Sequence, residues 1–177
     1  MHGVVVVTGV MASGKSTVAQ ALAERLPRAA HVRGDVFRRM IVSGREEYVP
    51  GSAPGSEAET QLRLRRSLSA ATADAYAAAG FTAVVQDVLL GGDLTAYLAL
   101  VRTRPLYAVV LVPAPEVVAA REAVRPKTGY GAWTVARLDA ALRTETPRTG
   151  LWLDTSELTV TETVDAILAG AERARVA

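Results

Sequence analysis

The strongest constraint on this chain lies near its start: Gly9-Val10-Met11-Ala12-Ser13-Gly14-Lys15-Ser16, followed by Thr17. The segment satisfies G-x-x-x-x-G-K-[ST] in full, and it sits between a valine run, Val4–Val7, and an amphipathic stretch. That is the strand–loop–helix setting in which such a loop binds phosphate. Glycine at both ends lets the backbone curl until successive N–H groups converge on one concavity. The helix that follows adds its unpaired N-terminal N–H groups and its dipole. Gly9, Ala12, Ser13, Gly14, Lys15, Ser16 and Thr17 are therefore the expected nucleotide-binding set. Lys15 is expected to reach the β and γ phosphates, and Ser16 to offer its hydroxyl to Mg²⁺.

A chain that opens this way must continue as alternating strands and helices, and it does. Apolar, strand-like runs fall at Val4–Thr8, Ala30–Arg33, Phe81–Gln86, Leu106–Val112 and Leu151–Leu153. Helical patterns fall at Lys15–Leu26, Val36–Val42, Glu57–Ala79, Leu94–Arg102, Pro115–Ala123, Thr134–Arg143 and Thr161–Ala174. Near-continuous apolar strands are covered on both faces, so the expectation is a three-layer α/β fold with a mainly parallel five-stranded sheet. The length, 177 residues, suits one such domain over the whole chain. Two segments break the alternation: a turn-rich stretch, Gly44–Gly55, and Arg125–Gly131, which combines basic groups with glycines.

Composition removes several alternatives. Half of the residues are hydrophobic and 21% are charged, which is globular rather than disordered usage. Without cysteine there is no disulfide, thiolate–metal site or cysteine nucleophile, and His2 and His31 are too few for a histidine-rich zinc site. A formal charge of +2 with no Lys/Arg run makes nucleic acid an unlikely partner. No stretch is long and uncharged enough to span a membrane, and the N-terminus lacks the basic region of a signal peptide, so the cytoplasm is the expected location. Of the 20 basic residues only Lys15 and Lys127 are lysines, leaving 18 arginines. Both lysines fall in loops that suit phosphate.

A phosphate loop alone does not specify a reaction. The Asn-Lys-x-Asp motif of guanine-specific switches is missing, and the chain is too short for a motor-type ATPase. At the end of the second strand, Asp35 fits two roles: a general base for an attacking hydroxyl, or a cap on the following helix. Arg33, Arg38 and Arg39 fit either an acceptor clamp or a solvated face. Asp87, after the third strand, fits a carboxylate that orients the metal, a contact to the acceptor, or a loop-start cap. A lid of about residues 121–131 carries Arg121, Arg125 and Lys127, cations suited to close over a γ-phosphate and exclude water. Arg148 fits either a stack on adenine or a capped turn before the final helix, while Trp133 and Trp152 read as core or lid-hinge packing.

Taken in order, Gly9–Thr17, Arg33-Gly34-Asp35, Arg121–Lys127 and Asp154-Thr155-Ser156 resemble the chloramphenicol-phosphotransferase-like and zeta-toxin-like P-loop kinases. The resemblance implies a nucleoside-kinase-like fold with a short lid, ATP with Mg²⁺, and transfer of the γ-phosphoryl group to a hydroxyl. It implies Asp35 as the general base and Arg121 and Arg125 as charge-stabilising arginines. Gly44–Gly55 and the helix from Glu57 match no acceptor motif, which leaves antibiotic, nucleoside, sugar-type metabolite or nucleic-acid end as acceptor classes. A polynucleotide 5′-hydroxyl kinase and a non-catalytic nucleotide switch are the competing readings. Few aromatics are present to stack bases, which weighs against the first.

Overall fold

The computed structural model describes residues 1–124 and 133–177. Five strands, β1 (Val4–Gly9), β2 (Ala29–Arg33), β3 (Thr82–Gln86), β4 (Leu106–Leu111) and β5 (Leu151–Leu153), form one sheet in the order β2-β3-β1-β4-β5. Every paired neighbour is parallel. The expected five-stranded parallel sheet is therefore present, with strand bounds within a residue or two of those read from the sequence.

The valine run explains why β1 is central. Val4 to Val7 are all fully buried, and successive side chains of a strand point to opposite faces. Val4 and Val6 pack with Ala73, Leu94, Tyr97 and Leu138, while Val5 and Val7 pack with Val18, Leu22 and Ile167. One layer thus holds α3 (Glu57–Ala78), α4 (Gly92–Leu100), α5 (Pro115–Ala123) and α6 (Val135–Ala140). The other holds α1 (Lys15–Arg25), α7 (Val160–Ala169) and α8 (Ala171–Ala174). The short α2 (Gly34–Arg39) follows β2 directly.

The helices expected at Val36–Val42 and Leu94–Arg102 lie two to three residues earlier, as α2 and α4, and two other helices differ in kind from the sequence reading. The helix expected at Thr134–Arg143 is α6 followed by a π-helical turn, Ala141–Glu145. Thr146 closes that turn: its hydroxyl donates to the Ala141 carbonyl at 2.9 Å and accepts from the Gly91 N–H at 2.7 Å. The helix expected at Thr161–Ala174 divides at Gly170, where a Cβ would stand 2.9 Å from Leu151 Cδ2. A side chain there would crowd Leu151 on β5, and glycine is a weak point in a helix. Among the described residues no helix is long and apolar enough to cross a membrane.

Candidate functional site

In a parallel sheet the carboxyl ends of the strands face one edge, and ligands gather where the strand order reverses. Here β1 leads through α1 to β2 at the sheet margin, and β4 lies on the other side of β1. The loop after β1 opens at that reversal. Gly9 has φ +152°, and a Cβ on it would stand 2.7 Å from the Leu111 carbonyl oxygen and 2.8 Å from Ser13 Oγ. No larger residue fits so close to β4. Gly14 is left-handed at φ +90° and starts α1, and Ala12 also has a positive φ of 60°. The loop is thus curled into a strained shape, as a phosphate cradle requires.

Side chains within the loop point inward. Lys15 is buried, and its Nζ donates to the Val10 carbonyl at 3.0 Å, which folds the ammonium over the loop. Ser13 Oγ is buried without a hydrogen-bond partner. Ser16 and Thr17, in the first turn of α1, are exposed. Arg121, on α5, crosses the loop from above: its guanidinium donates to the Ser13 carbonyl at 3.5 Å and the Thr155 carbonyl at 3.2 Å. It therefore joins the loop to the turn after β5. That turn is built by Asp154, whose carboxylate accepts from the hydroxyl and N–H of Ser156 at 2.6 and 2.9 Å. These two bonds hold the Asp154 carboxyl below the usual carboxylate range. Arg125 and Lys127 lie outside the described residues.

The ends of β2 and β3 carry the two aspartates. Asp35 lies within the first turn of α2 and makes no capping bond. It pairs with Arg39 at 3.1 Å and faces Arg33 Nε at 3.8 Å, while its Oδ1 makes no hydrogen bond. Burial, then the Arg33 charge, pushes the nearby His31 imidazole down, and its Nδ1 donates to Gln20 Oε1 at 2.8 Å. Asp87 is far more enclosed, with its side chain 5% exposed. Its Oδ1 accepts from Arg65 Nη2 at 2.5 Å and from the Val88 N–H at 2.8 Å, while Oδ2 is buried without a partner. Arg148 lies 4.0 Å over the Trp152 ring, a cation–π stack within the protein.

Beside the loop opens a cleft of about 610 Å³, lined from Met11 of the phosphate loop to Glu145 of the π-helical turn. The stretch Gly44–Gly55 supplies one wall through Glu46, Glu47 and Tyr48. It is tied down by Gln61, which donates to the Gly44 carbonyl at 2.8 Å and accepts from the Glu46 N–H at 2.9 Å, and by an Arg38–Glu47 ion pair. The opposite wall brings in residues that the sequence reading passed over. Arg65 and Arg66 occupy the inward stripe of α3 with Ala58, Leu62 and Ser69, and Arg66 grips both carboxylate oxygens of Asp93 at 2.7 and 2.6 Å. Their signal was available: two charges on the stripe that a core-facing helix normally keeps apolar. Asp35 does not line this cleft, whereas Arg38 does.

Comparisons with known proteins agree with this fold. A sugar kinase from Janibacter sp. HTCC2649 superposes with a TM-score of 0.71 at 19% identity, covering 98% of this chain and 96% of that one. An APS kinase from Mycobacterium tuberculosis, in complex with AMPPNP and APS, gives 0.68 at 16% identity, covering 97% and 98%. A gluconokinase from Sinorhizobium meliloti 1021 gives 0.61 at 24% identity, covering 97% and 92%. No curated protein sequence is significantly similar to this chain. A family model described as an AAA domain (AAA_33) matches residues 4–148, from the first residue of β1 past the π-helical turn, and the chain belongs to that family.

Proposed function

We propose that this chain is an ATP-dependent phosphotransferase that moves the γ-phosphoryl group to a hydroxyl of a small molecule. One observation carries the reading: the phosphate loop and the 610 Å³ cleft share Met11 as a wall, so donor and acceptor sites abut. A switch that only binds nucleotide has no use for a second, arginine-bearing cleft against its phosphate loop. The kinase names of the structural neighbours support the same reaction class, and the resemblance to chloramphenicol-phosphotransferase-like and zeta-toxin-like kinases supports the same residue roles.

In this reading the loop backbone, the α1 N-terminus and Lys15 hold the β and γ phosphates, and Arg121 covers them beside Gly14. The acceptor hydroxyl oxygen attacks the γ phosphorus as the bond to the β–γ bridging oxygen breaks, and ADP leaves. Asp35, at the carboxyl end of β2, takes the hydroxyl proton. Arg125 and Lys127 complete the cationic surroundings, Arg38 borders the acceptor, and Arg33 and Arg39 position Asp35.

Mg²⁺ fits the residues present. Asp87, which follows β3 beside β1, and Ser16, exposed at the start of α1, are the protein groups that would hold it. A Mg²⁺ shared with substrate phosphates needs only one or two such groups. When bound, it supplies charge neutralisation on the phosphate oxygens. An ADP-release screen over antibiotics, nucleosides and sugars tests the proposal. Acceptor-dependent release should fall about 10²- to 10⁴-fold in Asp35→Asn with ATP binding retained. Lys15→Met should lose ATP binding itself. If no hydroxylated acceptor raises turnover while nucleotide alters affinity for a partner protein, the switch reading replaces this one.

A further inference from the structure

The cleft is rich in arginine, yet three of its four guanidiniums are already held in ion pairs. Four arginines line it, Arg38, Arg65, Arg66 and Arg137. A site for a carboxylate, sulfate or phosphate ester keeps such guanidinium forks open for bidentate capture. Here Arg38 is paired with Glu47, Arg65 with Asp87, and Arg66 with both oxygens of Asp93. Arg137 lies 5.9 Å over the Trp133 ring. Two further lining carboxylates, Glu46 and Glu145, make no ion pair among the described residues. The uncommitted charge facing the cleft is therefore not positive.

What the walls do offer is suited to a neutral ligand. Arg65 and Arg66 line the cleft as guanidiniums already paired with Asp87 and Asp93, so they present polar edges with their charge neutralised. A hydroxyl oxygen meets such an edge without displacing the carboxylate. Apolar surface comes from Met11, Ile41, Leu62, Leu90 and Trp133. Ligand sites of this size combine an apolar lining with a few convergent polar groups. An anionic acceptor, by contrast, must break an existing ion pair or face Glu46 and Glu145, and like-charge juxtaposition is a strong means of rejection.

We propose, resting on the phosphotransfer reading, that the acceptor is an uncharged hydroxylated molecule with an apolar portion, and that Glu47 and Asp93 set this choice by neutralising Arg38 and Arg66. These two carboxylates are specificity determinants: they leave the arginines in place to shape the cleft while cancelling their attraction for anions.

Calorimetric titration with two polyol probes tests the assignment without turnover: phenyl glucoside, neutral and arylated, and gluconate, a sugar acid. The native chain should bind phenyl glucoside at least about tenfold tighter than gluconate. Asp93→Asn frees Arg66, and Glu47→Gln frees Arg38 together with Arg45 outside the cleft lining; each should raise gluconate affinity roughly 5- to 20-fold while changing phenyl glucoside affinity less than about threefold. Circular dichroism checks that both variants fold. Equal affinity for the two probes, binding of neither, or a preference for gluconate in the native chain overturns the proposal. Unchanged gluconate affinity in both variants removes Glu47 and Asp93 from the role. Because binding is read apart from ADP release, a chain that binds the neutral probe but fails the acceptor screen loses the kinase reading and keeps only a site for neutral polyols.

Discussion

Gly34 offers the sharpest test of how the ends of β2 and β3 are assembled. It opens α2, and a Cβ built on it would stand 2.2 Å from Asp87 Oδ2, 2.6 Å from Cγ and 3.0 Å from Cβ. Its own backbone is not left-handed, so alanine meets no conformational strain there and the whole cost is steric. Asp87 has little room to yield, since Arg65 and the Val88 N–H hold its other oxygen. Swinging the carboxylate aside breaks a buried ion pair, at about 3–5 kcal/mol. Displacing α2 instead is ordinary overpacking, at about 1–3 kcal/mol. The chain takes the cheaper route, so Gly34→Ala should cost about 2–3 kcal/mol, mostly through movement of α2. In a chain of this length that lowers the melting temperature by roughly 5–10 °C. Urea unfolding should show a reduced midpoint at unchanged slope. Asp87→Ala supplies the control, because it removes Oδ2 and Cγ and leaves only the Cβ contact at 3.0 Å. In that background Gly34→Ala should cost less than about 1 kcal/mol, a coupling of about 1.5 kcal/mol or more. The same cost in both backgrounds would show that the two side chains do not meet, and the close approach of α2 to Asp87 would have to be abandoned.

Two further outcomes follow from named contacts. Arg121→Ala removes the bridge between the Ser13 and Thr155 carbonyls, and steady-state kinetics should show kcat falling about 10- to 10³-fold with a smaller change in ATP affinity; equal losses in both count against a role over the transferring group. Asp74 gives a pH signature: burial opposes its ionisation, but bonds from the Thr103 N–H and hydroxyl and the Arg102 N–H outweigh that, so its pKa lies below the ordinary value. A carboxyl depressed on folding contributes stability that is complete above its unfolded pKa of about 3.9 and is lost as pH falls through the lower folded value. Asp74→Ala should therefore cost about 1–3 kcal/mol at neutral pH, and its urea midpoint should converge on the native one in acid. A gap that stays constant down to acid pH would deny the carboxylate this role.

The layered fold was legible because its signals are local. A buried parallel strand is a short apolar run, and Val4–Val7 and Leu106–Val112 read as such without any knowledge of their neighbours. The phosphate loop was legible for a similar reason, since its residues follow one another at fixed spacing. What was not legible depends on contacts between distant segments. The break at Gly170 comes from packing on Leu151, and the π-helical turn is closed by Thr146 reaching Gly91. The cleft wall is the plainest case. Arg65 and Arg66 interrupt the inward stripe of a long helix, which marks them in sequence, but only the fold brings them to Asp87 and Asp93, which are 22 and 27 residues away. Gly44–Gly55, read as an exposed turn-rich stretch, gains its place from Gln61 and Arg38.

The preference for arginine over lysine acquires a structural reason at these contacts. Arg66 binds both oxygens of one carboxylate, which a lysine ammonium cannot match in geometry. Arg121 bridges two carbonyls from separate loops, and Arg143 joins Asp139 at 2.8 Å to the Pro113 carbonyl at 2.9 Å. Each guanidinium ties together two segments that the sheet alone leaves independent. A buried or half-buried cation is costly unless its charge is paired or its donors find acceptors, so these arginines recruit carboxylates and carbonyls as partners. In the cleft that requirement has a chemical consequence. The carboxylates that let Arg65 and Arg66 face inward from α3 are the same groups that cancel their charge toward a ligand. An acceptor that brought its own anion would compete with the ion pairs that hold the wall in place, and so the stability of the wall and the rejection of anions rest on the same bonds.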